Sequence, residues 1–407
     1  MACERYAAIG VDTGKAMEVL KQIPLSIHCW QADDVSGFEN QGNSLSGGIQ
    51  VTGNYPGKAR TIDELRADVL KAKSMIAGNN HRLSLHAIYG DFEGKSIDRN
   101  EIEPVHFQSW MEWGRENGMK LDFNTTSFSH PKSGNLTLSN PDDAIRRFWI
   151  EHTKCCRVIS EAMGKFQGNP CMMNLWIHDG SKEIPANRFK YRRILEQSLD
   201  EIFEEEYAHV KDCLESKLFG IGLESYTVGS YEFYMGYALK KNKIITLDTG
   251  HFHLTESVAD KLSAILLFVP EIMLHVSRPV RWDSDHVVIL NDDLQDLARE
   301  IIRCEALDRV HIGLDYFDAT INRIGAYAIG CRSVQKAILR ALLAPARDLE
   351  QNEEKECFFE RLALREAAKT MPWSAVWDMF CVMNYAPLES EYVEQIQQYE
   401  REVTSKR

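Results

Sequence analysis

Eight short apolar runs punctuate the chain, and each stops at a polar, often ionisable, residue. They are Leu25–Trp30, Arg82–Tyr89, Lys120–Phe128, Cys171–Ile177, Val210–Phe219, Lys243–Asp248, Ile272–Val276 and Val310–Phe317. Between them lie stretches of helical period at Ile62–Ile76, His106–Asn117, Ala144–Lys165, Arg188–Glu206, Glu232–Lys240, Ser257–Leu267 and Leu294–Cys304. Strand and helix therefore alternate, the pattern of a parallel sheet covered by helices. Because no G-x-G-x-x-G opens any helix, the repeats predict an α/β protein with a (β/α)8 TIM barrel rather than a doubly wound sheet.

A long final helix is expected over Ala319–Leu343, followed by a charged helical extension containing Asp348–Lys355 and Glu389–Arg407. The domain reading is a catalytic barrel over residues 1–345, opened by a short N-terminal helix. Residues 346–407 form an extension that packs on the barrel or on a neighbouring subunit. Charge runs of this kind are usually solvated helix faces. The segment Gly10–Ala16 looks like a phosphate loop but is too short, ends in Ala and follows no strand, so it reads as a helix start. The Gly-rich stretch Gln31–Lys58 is too long for ordinary barrel packing and reads as a lid over the catalytic mouth, with a plain insertion as the alternative.

Composition excludes several classes. The formal charge of −13 argues against tracking a nucleic-acid backbone, which calls for a basic stripe. No apolar segment reaches the roughly 18 residues needed to span a bilayer. Ten cysteines without a C-x-x-C fit a reducing cytoplasm. The opening residues Met1–Tyr6 lack a basic flank followed by an apolar stretch, so export is not expected.

The chemistry gathers at the last four strand ends. In a parallel barrel all strand C-termini open on one face, so side chains far apart in sequence converge there. Period-two alternation places Glu215 and Lys217 on one face of their run, pointing into the mouth; a buried ion pair is the plain alternative. Asp248 ends the next run, and Gly250 is expected to supply the sharp turn that brings His251 back. His275 follows Ile272–Leu274, then Asp283 and Asp285 stand two residues apart, and Asp315 ends the eighth run. Taken singly, these are core histidines or Asx turns. Together, so many buried carboxylates and imidazoles call for cations. Oxygen-rich sets with one imidazole each favour Mn2+, Mg2+, Co2+ or Zn2+, with one ion permanent and one mobile.

At these residues the chain resembles the L-rhamnose isomerases, metal-dependent ketol isomerases related to xylose isomerase. The resemblance is carried by His28–Asp34, Thr52–Lys58, Leu85–Tyr89, Leu121–Asn124, Glu215–Gly222, Asp248–His253, His275–His286 and Gly313–Arg323, and runs from about Tyr6 to the C-terminus. It implies a structural metal held by Glu215, Asp248, His275 and Asp315, and a catalytic metal approached by His251, Asp283 and Asp285. Lys217 would reach the carbonyl-side oxygen of the substrate, and His86, Trp176 and His251 would line the sugar. The implied activity is conversion of L-rhamnose to L-rhamnulose in L-rhamnose catabolism, with two divalent cations, Mn2+ first among them, in a cytoplasmic homotetramer. Hydrogen would pass from C2 to C1, with the O2 proton leaving under the control of Asp283, Asp285 or Asp315. Val51, Ile88 and Phe128 are candidates for contact with the 6-methyl group. The chain departs from the family pattern at Leu254, where Pro is expected, and in a shorter N-terminal helix; neither touches a proposed ligand.

Two other classes compete. One is a metal-dependent hydrolase on the same barrel, which abasic DNA would test. The other is a barrel reused for binding, which has no need to hold buried carboxylates together. Asp283→Asn or His251→Ala is expected to keep the fold and abolish ketose formation, whereas Glu215→Ala should lower thermal stability as well. Near-normal turnover by Asp283→Asn would refute the mobile-metal assignment.

Overall fold

The apolar runs become a closed barrel of eight parallel strands in a computed structural model of the chain, which describes residues 1–39, 46–47 and 49–407. The strands are β1 (Leu25–His28), β2 (Arg82–His86), β3 (Lys120–Asn124), β4 (Cys171–Leu175), β5 (Val210–Glu215), β6 (Ile244–Asp248), β7 (Ile272–Val276) and β8 (Val310–Leu314). Each pairs in parallel with its neighbours in sequence, and β1 closes on β8. Several strands are shorter than their runs. Cys29–Gln31 and Ala87–Tyr89 wind into single 3-10 turns, and β3 and β5 stop at Asn124 and Glu215. The apolar character beyond those points reflects burial of the rim, where Trp30, Tyr89 and Phe128 are all enclosed.

Among the described residues, eight helices ring the barrel: Ile62–Ser74, Gln108–Glu116, Asp143–Gln167, Arg188–Ile202, Tyr231–Lys241, Val258–Leu266, Asp292–Arg303 and Arg323–Leu342. Their starts follow local chemistry. Thr61, Asp142, Asn187, Ser257, Asn291 and Asn322 each accept a backbone N–H of the first turn through a side-chain oxygen, satisfying donors that a helix otherwise leaves orphaned. The Asn322 cap is why the last ring helix starts at Arg323 and not at Ala319. Two helices, Ala2–Ala7 and Thr13–Gln22, precede the barrel, the second capped by Asp12. Gly10–Ala16 is thus a helix start.

Inside the barrel, Met172, Cys213, Ile244 and Met273 form their own apolar cluster and plug the lower half. Above it lies a polar layer. The Asn124 amide donates to the Ser84 hydroxyl and the Leu85 carbonyl, while Asn174 accepts from Thr246 and donates to Glu215. Hydrogen-bonded buried amides fix side-chain positions as well as stability. Outside the barrel, Arg157 grips Asp212 on β5 with two hydrogen bonds of 2.9 and 3.0 Å, and Lys243 adds a third at 3.1 Å.

The C-terminal extension comprises Ala346–Glu354, Phe358–Lys369, Trp373–Met383 and Tyr392–Glu402; the middle two helices had no counterpart in the sequence reading. The extension returns to the barrel. Buried Arg332 donates to the carbonyls of Met75 and Pro387 and to Glu389, and Arg407 and Tyr399 both bond Asp68 on the first ring helix. Among the described residues no helix is long and apolar enough to cross a membrane.

Gly164 shows how tightly the ring sits. A Cβ there would stand 2.1 Å from the backbone oxygen of His209, which already accepts the Cys171 N–H at the entrance to β4. Helix propensity alone favours Ala by about 1 kcal/mol, but overpacking costs about 1–3 kcal/mol, and an engaged backbone atom cannot yield. Gly164→Ala is therefore expected to lower stability by a net ~1–2 kcal/mol, read as a lower urea midpoint. A raised midpoint would show that the helix can slide off the barrel without penalty.

Candidate metal centre and active site

The barrel delivers its ligands by topology. Glu215 and Asp248 are the last residues of β5 and β6, His275 is next to last on β7, and Asp315 follows β8. One donor atom from each lies within 4.8 Å of the other three. A second set, Asp248, His251 and Asp283, meets the same condition, so Asp248 belongs to both. Asp285 stands outside the second set but lines the same cavity, with Lys217, Trp30, His86 and Trp176.

The donor atoms crowd one another without bonding well. His251 Nδ1 lies 3.1 Å from Glu215 Oε1, and His275 Nδ1 lies 3.2 Å from Glu215 Oε2 and 3.4 Å from Asp315 Oδ2. Yet both ring nitrogens, Glu215 Oε1 and Asp283 Oδ1 are buried without a hydrogen-bond partner of acceptable geometry. Close approach with poor alignment means that these atoms point at shared space rather than at each other. Buried orphans of this kind call for a missing partner, and a set of carboxylate oxygens with an imidazole nitrogen suits a divalent cation.

Electrostatics agrees. Burial raises Glu215, but His275 and His251 overcome it and hold its carboxyl well below the usual range. Burial, with the charges of Glu215, Asp315 and Asp283, pushes Asp248 up to about 8 against the pull of His251. Asp285 is raised by burial and by Asp283. Burial would lower both imidazoles, yet carboxylates raise them: Asp248 and Asp283 act on His251, and Glu215 and Asp315 on His275. Lys217 stays charged despite burial because it contacts Asp283 directly. In the metal-free chain, protons thus perform the neutralisation.

Lys217 faces the cavity as expected, but it lies past the end of β5, so strand alternation is not what aims it. Its backbone N–H bonds the Gly229 carbonyl at 3.0 Å, and its ammonium sits 5.4 Å from the Trp176 ring centre. Trp176 in turn stacks on His251 with the ring planes 16° apart. Gly250 is needed for space rather than for a turn: it has no positive φ, and a Cβ there would come within 2.4 Å of Asp283 Oδ1. Asp285 and Val35 do adopt positive φ, 47° and 56°. For a β-branched residue this is strained backbone, of the kind that clusters at working sites.

Two expectations about the apolar lining need correcting. Phe128 lines the cavity, but Val51 and Ile88 do not; Val35, Ile49 and Phe317 take their place. The Ile88 side chain instead packs under Gly37. The centre of the expected lid, residues 40–45 and 48, lies outside the described residues. Its described flanks are tied down: Arg99 pairs with Glu39 and donates to the carbonyls of Thr126 and Phe128, and Arg323 clasps Asp34 with two bonds of 2.8 Å.

Sequence reasoning missed Asn174, which bonds Glu215, and the Trp30 N–H directed at Asp315. A lone amide inside the apolar run Cys171–Ile177 was a usable signal for the first; nothing local marks the second.

Fold and donor sets together define a class, a (β/α)8 barrel enzyme whose rim is suited to divalent cations. The chain matches the family model described as RhaA, L-rhamnose isomerase, over residues 1–407, and it belongs to that family. It is 65% identical over 407 residues to the L-rhamnose isomerase of Bacteroides thetaiotaomicron, covering 100% of this chain and 97% of that one. The L-rhamnose isomerase of Enterobacter sp. is 54% identical and that of Escherichia coli 52%, each over 410 residues, with 100% and 97% covered. The chain is accordingly an isomerase, and the hydrolase alternative finds no support.

The sign of the pH effect follows from Asp248. Its carboxyl titrates near 8 in the folded metal-free protein against 3.8 for the ordinary group. The folded state holds the extra proton between those values, so this stabilising term is complete below about pH 4 and is lost as pH rises through about 8. A cation must displace that proton, so affinity should rise about tenfold per pH unit per proton displaced until Asp248 ionises. The thermal shift caused by Mn2+, used as a probe on EDTA-stripped protein, is expected to be larger at pH 8 than at pH 6. Equal shifts would mean that Asp248 is already ionised at the lower pH.

Proposed function

We propose that this isomerase interconverts L-rhamnose and L-rhamnulose in L-rhamnose breakdown, using two divalent cations, Mn2+ in the first instance, held by Glu215, Asp248, His275 and Asp315 and by Asp248, His251, Asp283 and Asp285. The observation that carries this reading is the meeting of the two donor sets around one cavity in a chain of this family. Charge balance supports the count. With both imidazoles neutral, five carboxylates against the single ammonium of Lys217 leave four negative charges, which two divalent ions cancel.

When bound, the cations supply Lewis acidity to the oxygens on C1 and C2 of the opened aldose. The protein's own groups do the rest. Lys217, fixed by Asp283 and by the face of Trp176, places a positive charge where the carbonyl-side oxygen gains electron density. His86 Nδ1 lies 2.9 Å from the Thr125 carbonyl, which can only accept, so Nδ1 carries the hydrogen and Nε2 is a bare acceptor. Burial lowers His86 to about 3, keeping it neutral and able to accept a sugar hydroxyl. Asp283 and Asp315 flank the site and steer the O2 proton on its way to O1, while the C2 hydrogen moves to C1. Trp30, Phe128 and Trp176, all buried, keep bulk water from that transfer. Val35, Ile49, Phe128 and Phe317 offer the methyl group an apolar contact.

The enzyme works in the cytoplasm as a homotetramer. All ten cysteines are free thiols, which supports a reducing compartment. Phe358, Phe359, Leu362, Met379 and Val382 leave an apolar surface on the extension that supports subunit contact.

A colorimetric ketose assay over a panel of aldoses, with EDTA and with Mn2+ restored, tests the reading. L-Rhamnose should be the best substrate, EDTA should abolish turnover, and Lys217→Met should lower kcat on the order of 100-fold or more with Mn2+ still bound. Full activity in EDTA, or none on any aldose with Mn2+, would overturn it.

A further inference from the structure

Trp30 directs its indole N–H at Asp315, with Nε1 3.0 Å from Oδ1. The indole is 2% exposed and set edge-on to His86 at 4.7 Å. The residues on either side are tied to the same part of the rim. The Gln31 side chain donates to the Asp318 carbonyl and accepts its N–H, both at 2.9 Å, and the Tyr327 hydroxyl donates to the Cys29 carbonyl. These ties act where the barrel closes, a seam with only two register pairs, Leu25 with Ile312 and Ser26 with Gly313. Asp315 also has the most freedom of the four inner donors, its side chain 23% exposed against 2–3% for Glu215, Asp248 and His275. Its two oxygens are chemically alike, and the Trp30 N–H distinguishes them. With Oδ1 engaged, Oδ2 is turned toward the donor set, 3.4 Å from His275 Nδ1.

We infer that Trp30 is a positioning residue for the inner cation: by holding Oδ1 it orients Asp315 and sets the affinity of the Glu215, Asp248, His275 and Asp315 set. This rests on reading that set as a cation site. The competing role, a ring that merely fills the mouth, needs no N–H. Partners that hold a ligand from behind typically matter 10–100-fold in metal affinity.

The experiment is calorimetric titration of Mn2+ into EDTA-stripped full-length protein. It compares wild type, Trp30→Phe, a protein carrying benzothienylalanine at position 30, and Gln31→Ala. Benzothienylalanine keeps the shape of tryptophan and replaces N–H by sulfur, so it reports on the hydrogen bond even if the Phe variant folds poorly. The Kd of the tighter site should rise about 10-fold or more without the N–H. The apo melting temperature of the benzothienyl protein should match wild type. Gln31→Ala, which loosens the seam but leaves the carboxylate alone, should stay within about twofold. An unchanged Kd in the benzothienyl protein overturns the inference, as does a rise in Gln31→Ala equal to that from losing the N–H. If wild type takes up no Mn2+, the cation reading falls and takes the inference with it; normal wild-type uptake with unaffected variants removes the inference alone.

Discussion

Five carboxylates held together at one end of a barrel, in surroundings from which water is largely removed, are the constraint around which the molecule is built. Like charges at this spacing repel strongly when the effective dielectric is low. Only a stiff frame keeps them from moving apart or turning to solvent. The frame is the closed strand set, plugged below by Met172, Cys213, Ile244 and Met273 and braced within by Asn124 and Asn174. The helices outside are seated closely enough that Gly164 has no room for one more carbon.

The same constraint explains the ionisation pattern. His251, His275 and Lys217 are held in their charged forms against burial because the carboxylates need them. Three cationic groups cannot balance five carboxylates, and the remainder appears as the raised Asp248 and Asp285. Protons thus complete the balance in the metal-free chain, and the orphaned atoms of Glu215, His251, His275 and Asp283 mark where cations would take their place.

How much of this could be read from sequence depended on how rigidly each residue is tied to a strand. Glu215, Asp248, His275 and Asp315 were legible because a parallel barrel brings every strand end to one rim, whatever the loops do. Lys217 was correctly picked for the cavity on a wrong argument, since β5 ends two residues earlier and a bond to the Gly229 carbonyl holds the backbone. Val51 and Ile88 were poor choices and Val35 and Ile49 went unnoticed, because loop side chains follow tertiary contacts and not a period. The Trp30 bond to Asp315 spans 285 positions with no local trace. The helix Phe358–Lys369 escaped notice for the opposite reason: it buries no residue, so no core-facing stripe betrays it.

The double membership of Asp248 has a further consequence. A carboxylate already satisfied by one ion is a weaker partner for a second, so two cations on these donor sets would not fill them independently. With the two cations proposed above, loading would be sequential, and the second position would draw on His251 and Asp283 from two loops beyond the strands. On that reading, structural integrity and turnover would depend on different ranges of free cation concentration, and scarcity would leave an intact but idle protein.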